Sequence, residues 1–194
     1  MKLRESGMPE ECYWETLFNV ELILNRLEIN ERLRDVVELG CGYGTFTLPV
    51  ARRISGVLET VDIEPVMIER TRQRAREAGL SNIVYTHSDV TTDGFGGVPG
   101  SRDACLLFNL LHCDEPVRLL TEAARAVGQS GWVLVIHWRC DPSTPRGPAL
   151  AIRPRPEQIL DWAAQTGLLE PAGQVLDLPP WHYGLRLKRK ETVC

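Results

Sequence analysis

An α/β fold, doubly wound around a mostly parallel sheet with helices on both faces, is predicted by three features of the chain. β-type runs alternate with helix-type segments along most of its 194 residues, the order that builds parallel sheets. Ala104-Cys105-Leu106-Leu107-Phe108 and Trp132 to Trp138 are apolar runs of the kind found in strands buried on both faces. Val36-Val37-Glu38-Leu39 empties directly into Gly40-Cys41-Gly42-Tyr43-Gly44, and Thr45 to Ile54 then reads as a helix.

The elements follow in order. Tyr13, Leu17, Val20, Leu24 and Leu27 recur at spacings of four and three, one face of an N-terminal helix flanked by Trp14 and Phe18. Val57 to Asp62 is a second strand, and Pro65 opens a helix that Gly79 closes. Asp93 to Ser101, with Gly94, Gly96, Gly97, Pro99 and Gly100, is a surface loop by composition. Val117, Leu120, Ala124 and Val127 mark a helix face, with Asp114 as the expected cap and Pro116 in the first turn. The Gly128-Gln129-Ser130-Gly131 turn precedes the Trp132 to Trp138 strand. Ile159 to Thr166 is a helix behind Pro156, and Leu176 with Leu185 to Leu187 falls in a final strand pair ending near Lys188-Arg189-Lys190. No repeat or second domain is visible. The reading is one domain, with 1–34 a helical lid or cap, 35–138 a cofactor-binding core, and 139–194 a substrate-side loop, helix and last strands.

A glycine at a strand end permits a sharp turn, and bare amides at the following helix start attract anionic groups. Such a loop holds a nucleotide-like cofactor. The dinucleotide pattern G-x-G-x-x-G needs a glycine where Thr45 stands, which disfavours a nicotinamide oxidoreductase. What stands is E-x-G-x-G-x-G from Glu38 to Gly44, and Asp62 lies roughly 20 residues beyond the loop, where a ribose-binding acid is expected.

On these residues the chain resembles the class I S-adenosylmethionine-dependent methyltransferases, over about Val36 to Trp138. The resemblance implies a seven-stranded sheet whose last strand runs antiparallel, and S-adenosylmethionine as cofactor. Glu38, Gly40, Cys41, Gly42 and Gly44 would form its cradle, with Asp62 and Ile63 at the ribose. Asn82 to Val90 looks like the family's third strand, placing Asp89 and Val90 at the adenine. Asn109 begins Asn109-Leu110-Leu111-His112, which lacks the prolines and the aromatic residue of methyltransferases that act on amino groups of bases, so Asn109 is read as a cofactor-side contact.

Composition narrows the class of partner. A formal charge of -4 argues against nucleic acid, because phosphate neutralisation needs clustered Lys and Arg. Arg70, Arg72, Arg74 and Arg76 alternate along a predicted helix with Glu69 and Glu77 in pairing distance, a solvated face. No run is apolar for long enough to span a bilayer, and Met1 to Gly7 does not lead into a signal-type apolar core, so a cytoplasmic chain without membrane contact is expected. The 6 cysteines lack metal-type or disulfide-type spacing and are expected to be reduced.

The active centre is expected at the ends of the fourth and fifth strands, where His112 and His137 stand as candidate general bases, since imidazole titrates near neutral pH. His112, Cys113, His137 and Cys140 are ligand types that suit zinc, but their spacing does not, and metal-independent transfer is expected. Arg139 and Arg146, with Arg153 and Arg155 in a proline-rich stretch, suggest an anionic small-molecule acceptor. Tyr13 and Trp14 are expected to touch it from the N-terminal helix. A non-catalytic module that senses S-adenosylmethionine or its product is the alternative. The oligomeric state is open.

Overall fold

The structure is a computed structural model that describes residues 8–191. Met1 to Gly7, on which the absence of a leader was read, and Cys194 lie outside the described residues. The strands are β1 (Asp35–Leu39), β2 (Val57–Asp62), β3 (Ile83–His87), β4 (Arg102–Phe108), β5 (Val127–Trp138), β6 (Leu169–Pro171), β7 (Leu176–Leu178) and β8 (His182–Arg189). The helices are α1 (Glu11–Glu15), α2 (Val20–Arg26), α3 (Thr47–Arg53), α4 (Pro65–Glu77), α5 (Val90–Asp93), α6 (Pro116–Ala126) and α7 (Pro156–Gln165).

The sheet order is β3-β2-β1-β4-β5-β8-β6, with β7 also on β8. Pairing from β3 through β5 is parallel, whereas β8 runs antiparallel to β5, β6 and β7. The last strand is thus antiparallel as expected, in a sheet of eight strands rather than seven. The extra strand arises because β6 and β7 share the outer edge of β8: β6 pairs with Leu187 to Arg189, and β7 with His182 to Gly184.

Strand alternation builds two cores. Val37, Leu39, Cys105, Leu107, Val133 and Val135 face α6 and α7, where Leu120, Ala123, Ile159 and Ala163 are fully buried. Val36, Leu58, Ala104, Leu106, Leu134 and Ile136 face the other way, against Ile23 and Leu24 of α2 and Val50 and Ala51 of α3. The twofold period of a strand and burial on both faces account for the apolar runs.

The N-terminal periodicity does not form one helix. Thr16 closes α1 by donating its hydroxyl to the Tyr13 carbonyl at 2.7 Å, and Asn19 opens α2 by accepting the Leu22 amide at 3.2 Å. A side-chain cap offers the backbone a new start and so divides the run. The division separates roles as well. Leu17, Phe18 and α2 are part of the core, so only the segment before them is placed as a lid would be. The helix after Asp114 begins one residue later than expected, with Glu115 as N-cap and Pro116 in the first turn.

Candidate functional site

The loop after β1 is shaped by glycine. Gly40, Gly42 and Gly44 have φ of 78°, 50° and 80°, a region that side chains other than glycine's resist. The Gly40 amide donates to the Val61 carbonyl at 2.8 Å, tying the turn to the end of β2. Beside it opens a cleft of about 530 Å³ at the C-terminal ends of β1, β2, β3 and β4, the usual position for ligands of open α/β sheets.

Glu38, Gly40, Cys41, Gly42, Asp62, Ile63, Asp89, Val90 and Asn109 all line this cleft. Gly44 is outside the lining; its amide donates to the Cys41 carbonyl at 2.8 Å and its carbonyl receives the Leu48 amide, so it shapes the loop. Glu38 is buried and accepts hydrogen bonds from Thr47 Oγ1 at 2.6 Å and Thr60 Oγ1 at 3.1 Å. Burial raises its carboxyl pKa to about 7, the two hydroxyls oppose that, and the nearby Asp62 charge adds to it. Asp62 holds the loop: its Oδ2 accepts from the Gly42 amide at 3.2 Å and the Cys41 thiol at 3.4 Å, and its Oδ1 from the Glu64 amide at 2.9 Å. The Cys41 thiol is pushed up by burial, then by the Asp62 and Glu38 charges, which leaves it a protonated packing group. Asp89 caps α5 through the Thr91 amide at 2.9 Å and hydroxyl at 2.6 Å, and these bonds lower its pKa.

One side of the cleft is closed by the N-terminal segment. Met8 and Trp14 line it, and a Cβ on Gly42 would lie 3.0 Å from Met8 Cε. Tyr43 OH donates to the Pro9 carbonyl at 2.9 Å, Glu11 pairs with Arg70 at 2.7 Å and with Arg74 at 3.0 Å, and Glu15 pairs with Arg74 at 2.7 Å. Two arginines read as a solvated face therefore clasp α1 onto α4. Arg72 does pair with Glu69, at 2.6 Å, but Glu77 receives a hydrogen bond from Gln73.

The residues expected at the acceptor separate from the cleft, except Trp14. Tyr13 points to solvent, 41% exposed. Arg139 donates to the His182 carbonyl at 3.0 Å and pairs with Asp177, and neither it nor Arg146 is among the lining residues. Arg153 donates to the carbonyls of Pro148, Arg139 and Arg146 and to Thr144 Oγ1, folding the proline-rich stretch on itself. Arg139 and Arg153 thus serve protein acceptors and a surface carboxylate, and none of Arg139, Arg146, Arg153 and Arg155 lines the cleft to meet an anionic acceptor there.

His112 and His137 are brought together, their rings 5.5 Å apart, but neither lines the cleft. His137 is fully buried beside Tyr183, and its pKa falls to about 3, chiefly through burial and then through His112. It is a neutral packing residue at any working pH. His182, buried between Phe18 and Trp138, is likewise lowered to about 3. Among the described residues no three His, Cys, Asp or Glu side chains converge on a possible metal position. Leu39, Thr45, Phe46, Glu64, Met67, Ser88, Phe108 and Leu110 complete the lining and were not anticipated. Glu64 and Phe46 lie next to anticipated motifs, so their neighbours were the signal; Met8 had none.

This donor set fits S-adenosylmethionine. The adenine amino group, ribose hydroxyls and α-amino group all donate, and the sulfonium is cationic. The cleft meets them with Glu38, Asp62, Glu64 and Asp89, a glycine cradle, and the buried Thr45 Oγ1, which has no hydrogen-bond partner among the described residues.

Fold and cleft together define a Rossmann-like cofactor domain. The family profile described as a methyltransferase domain matches residues 36–131. A 23S rRNA (uracil(1939)-C(5))-methyltransferase, RlmD of Alcanivorax borkumensis, is 29% identical over 125 residues, which are 64% of this chain and 27% of that protein. Aklanonic acid methyltransferase DauC of a Streptomyces species is 40% identical over 62 residues, covering 31% of this chain and 28% of that one. The crystal structure of an S-adenosylmethionine-dependent methyltransferase from Aquifex aeolicus superposes with a TM-score of 0.80 at 17% identity, covering 93% of this chain and 94% of the other. The chain belongs to the class I S-adenosylmethionine-dependent methyltransferases. It spans about a quarter of the length of the curated relatives it matches. Several of those are 23S rRNA methyltransferases, so the exclusion of nucleic acid drawn from net charge does not stand. Overall charge reports general phosphate affinity and says nothing of a single base entering a cleft.

Proposed function

We propose that this chain transfers the methyl group of S-adenosylmethionine to a small-molecule acceptor. The observation that carries the reading is the closure of the cleft by Met8 and Trp14, pinned by the Glu11, Glu15 and Tyr43 contacts described above. A partly roofed cleft of about 530 Å³ is within the ordinary range of small-molecule sites, about 300–1,000 Å³. When bound, S-adenosylmethionine would supply a sulfonium methyl whose carbon an acceptor's lone pair attacks, the carbon–sulfur electrons leaving with the thioether sulfur and any acceptor proton passing to solvent. The protein's part is placement and exclusion of water, which supply much of the rate when a nucleophile must be held in line. Glu38, Asp62 and Asp89 would hold and orient the cofactor's donors, the Gly40 to Gly44 loop would leave room for it beside the backbone, and Met8 and Trp14 of the N-terminal segment would shield the cleft from water.

A second reading, a nucleic-acid acceptor, is favoured by the match to RlmD over 64% of this chain. The two are separated by incubating the protein with methyl-tritiated S-adenosylmethionine and either a metabolite extract or ribosomal RNA. The proposal expects label in acid-soluble metabolites; label only in precipitated RNA would overturn it.

A further inference from the structure

The lining of the cleft divides by chemistry. Its charged members are Glu38, Asp62, Glu64 and Asp89, all acidic, and no Lys, Arg or His among the described residues lines it. The part nearest the N-terminal segment is aromatic: Trp14, Phe46 and Phe108. Phe18 ties these rings together from behind, its centroid 4.9 Å from Trp14 and 5.1 Å from Phe46, while Phe46 lies 4.9 Å from Phe108. All three contacts are edge to face, an arrangement that holds each ring against its neighbours. The wall is therefore built before any ligand arrives.

Each end of the wall carries an unsatisfied acceptor. Thr45 precedes Phe46 and Asn109 follows Phe108, both line the cleft, and Thr45 Oγ1 and Asn109 Oδ1 are buried without a hydrogen-bond partner among the described residues. Asn109 is held at a φ of 60°, a left-handed conformation that fixes its place at the end of β4. Buried oxygens without donors are uncommon in folded proteins and point to a group that supplies one.

We propose that the acceptor is an uncharged, flat aromatic compound with a hydroxyl or amine N–H, lying against Trp14, Phe46 and Phe108. This deepens the methyl-transfer reading above and rests on it. Its ring faces the aromatic wall, and its O–H or N–H meets Asn109 Oδ1, Thr45 Oγ1 being left to the cofactor. An anionic ring is disfavoured because every charged side chain lining the cleft is a carboxylate, so no protein cation is there to pair with it.

The test uses the whole protein saturated with S-adenosylhomocysteine and two probes that share a naphthalene ring, uncharged 2-naphthol and anionic 2-naphthoate, titrated at neutral pH by ligand-observed NMR. Binding of 2-naphthol about ten-fold tighter than 2-naphthoate is expected. Trp14→Ala, at a partly exposed position, is expected to weaken 2-naphthol about ten-fold while leaving S-adenosylhomocysteine affinity within about two-fold. Equal binding of the two probes, no binding of either, or an unchanged 2-naphthol affinity in the variant would overturn the aromatic-acceptor proposal. Failure of S-adenosylhomocysteine itself to bind would overturn the methyl-transfer reading beneath it.

Discussion

Two rims of the same sheet gather similar side chains and use them differently. At the ends of β1, β2 and β3 stand Glu38, Asp62 and Asp89, and all three face a cleft. At the end of β5 and the start of β8 stand His137, Arg139 and His182, and none of them does. The cause is the chain that follows each strand. After β1 it turns through glycines, leaving no side-chain bulk over the sheet. After β5 it enters the stretch from Arg139 to Arg153, which Arg153 draws inward and in which Gly147 approaches so closely that a Cβ there would lie 2.9 Å from the Trp138 ring. Strand-end polar residues become a binding site only where the following loop stays open. Otherwise they fill the space, the histidines held toward their neutral form and Arg139 paired with Asp177.

The largest effect is expected at the open rim. Gly42→Val puts a β-branched residue at a φ of 50° and directs its side chain at Met8, a movable group, so the fold should survive. Calorimetric titration should show S-adenosylhomocysteine affinity reduced by about a hundred-fold or more, roughly 3 kcal/mol. At the closed rim the mirror experiment is Arg153→Met, which strands the carbonyls of Pro148, Arg139 and Arg146. Stability in a denaturant titration should fall by about 2–4 kcal/mol while S-adenosylhomocysteine affinity stays within about two-fold. If the second variant instead lost the ligand, the two rims would not be separate.

Asp62→Ala sharpens the comparison from within the cleft. It removes the acceptor for the Gly42 and Glu64 amides as well as the ribose contact proposed for it, so the expected loss in binding is about 1.5–3 kcal/mol. An unaltered titration would confine Asp62 to loop structure.

The difference between the rims explains what could be read in advance. The position of the glycine loop, Asp62 and Asp89 at the cleft was legible because it follows from backbone conformation and local position at predicted strand ends. Trp14 was legible as a bulky residue beside an apolar stripe. That His112 and His137 do not line the cleft was not legible, because residue type shows chemical capacity and not burial, and at the end of β5 the stretch that follows is folded by Arg153 bonding to carbonyls up to fourteen residues away. The division of the N-terminal helix depended on Asn19 capping, which periodicity alone does not register. The extra strand β7 is three residues long and depends on pairing with β8, a tertiary matter.

A smaller effect separates the rims by pH. His137 binds its proton only below about pH 3 when folded, whereas an unfolded histidine does so near 6.5. The unfolded state therefore takes up a proton first as pH falls, so the stability from burying neutral His137 is complete above about pH 6.5 and is lost toward pH 3. The loss by pH 5.5 is about 1.4 kcal/mol from this group. His137→Phe should flatten the fall in melting temperature between about pH 7 and 5.5. An unchanged slope would show that His137 is hydrated, as at an open rim.

The most direct test of the separation is amide hydrogen exchange with and without saturating S-adenosylhomocysteine. The account predicts slowed exchange at residues 40–46, 62–64, 88–91 and 108–110, with residues 139–153 and 182–184 unchanged. Protection centred on residues 139–153, or none in the glycine loop, would contradict it.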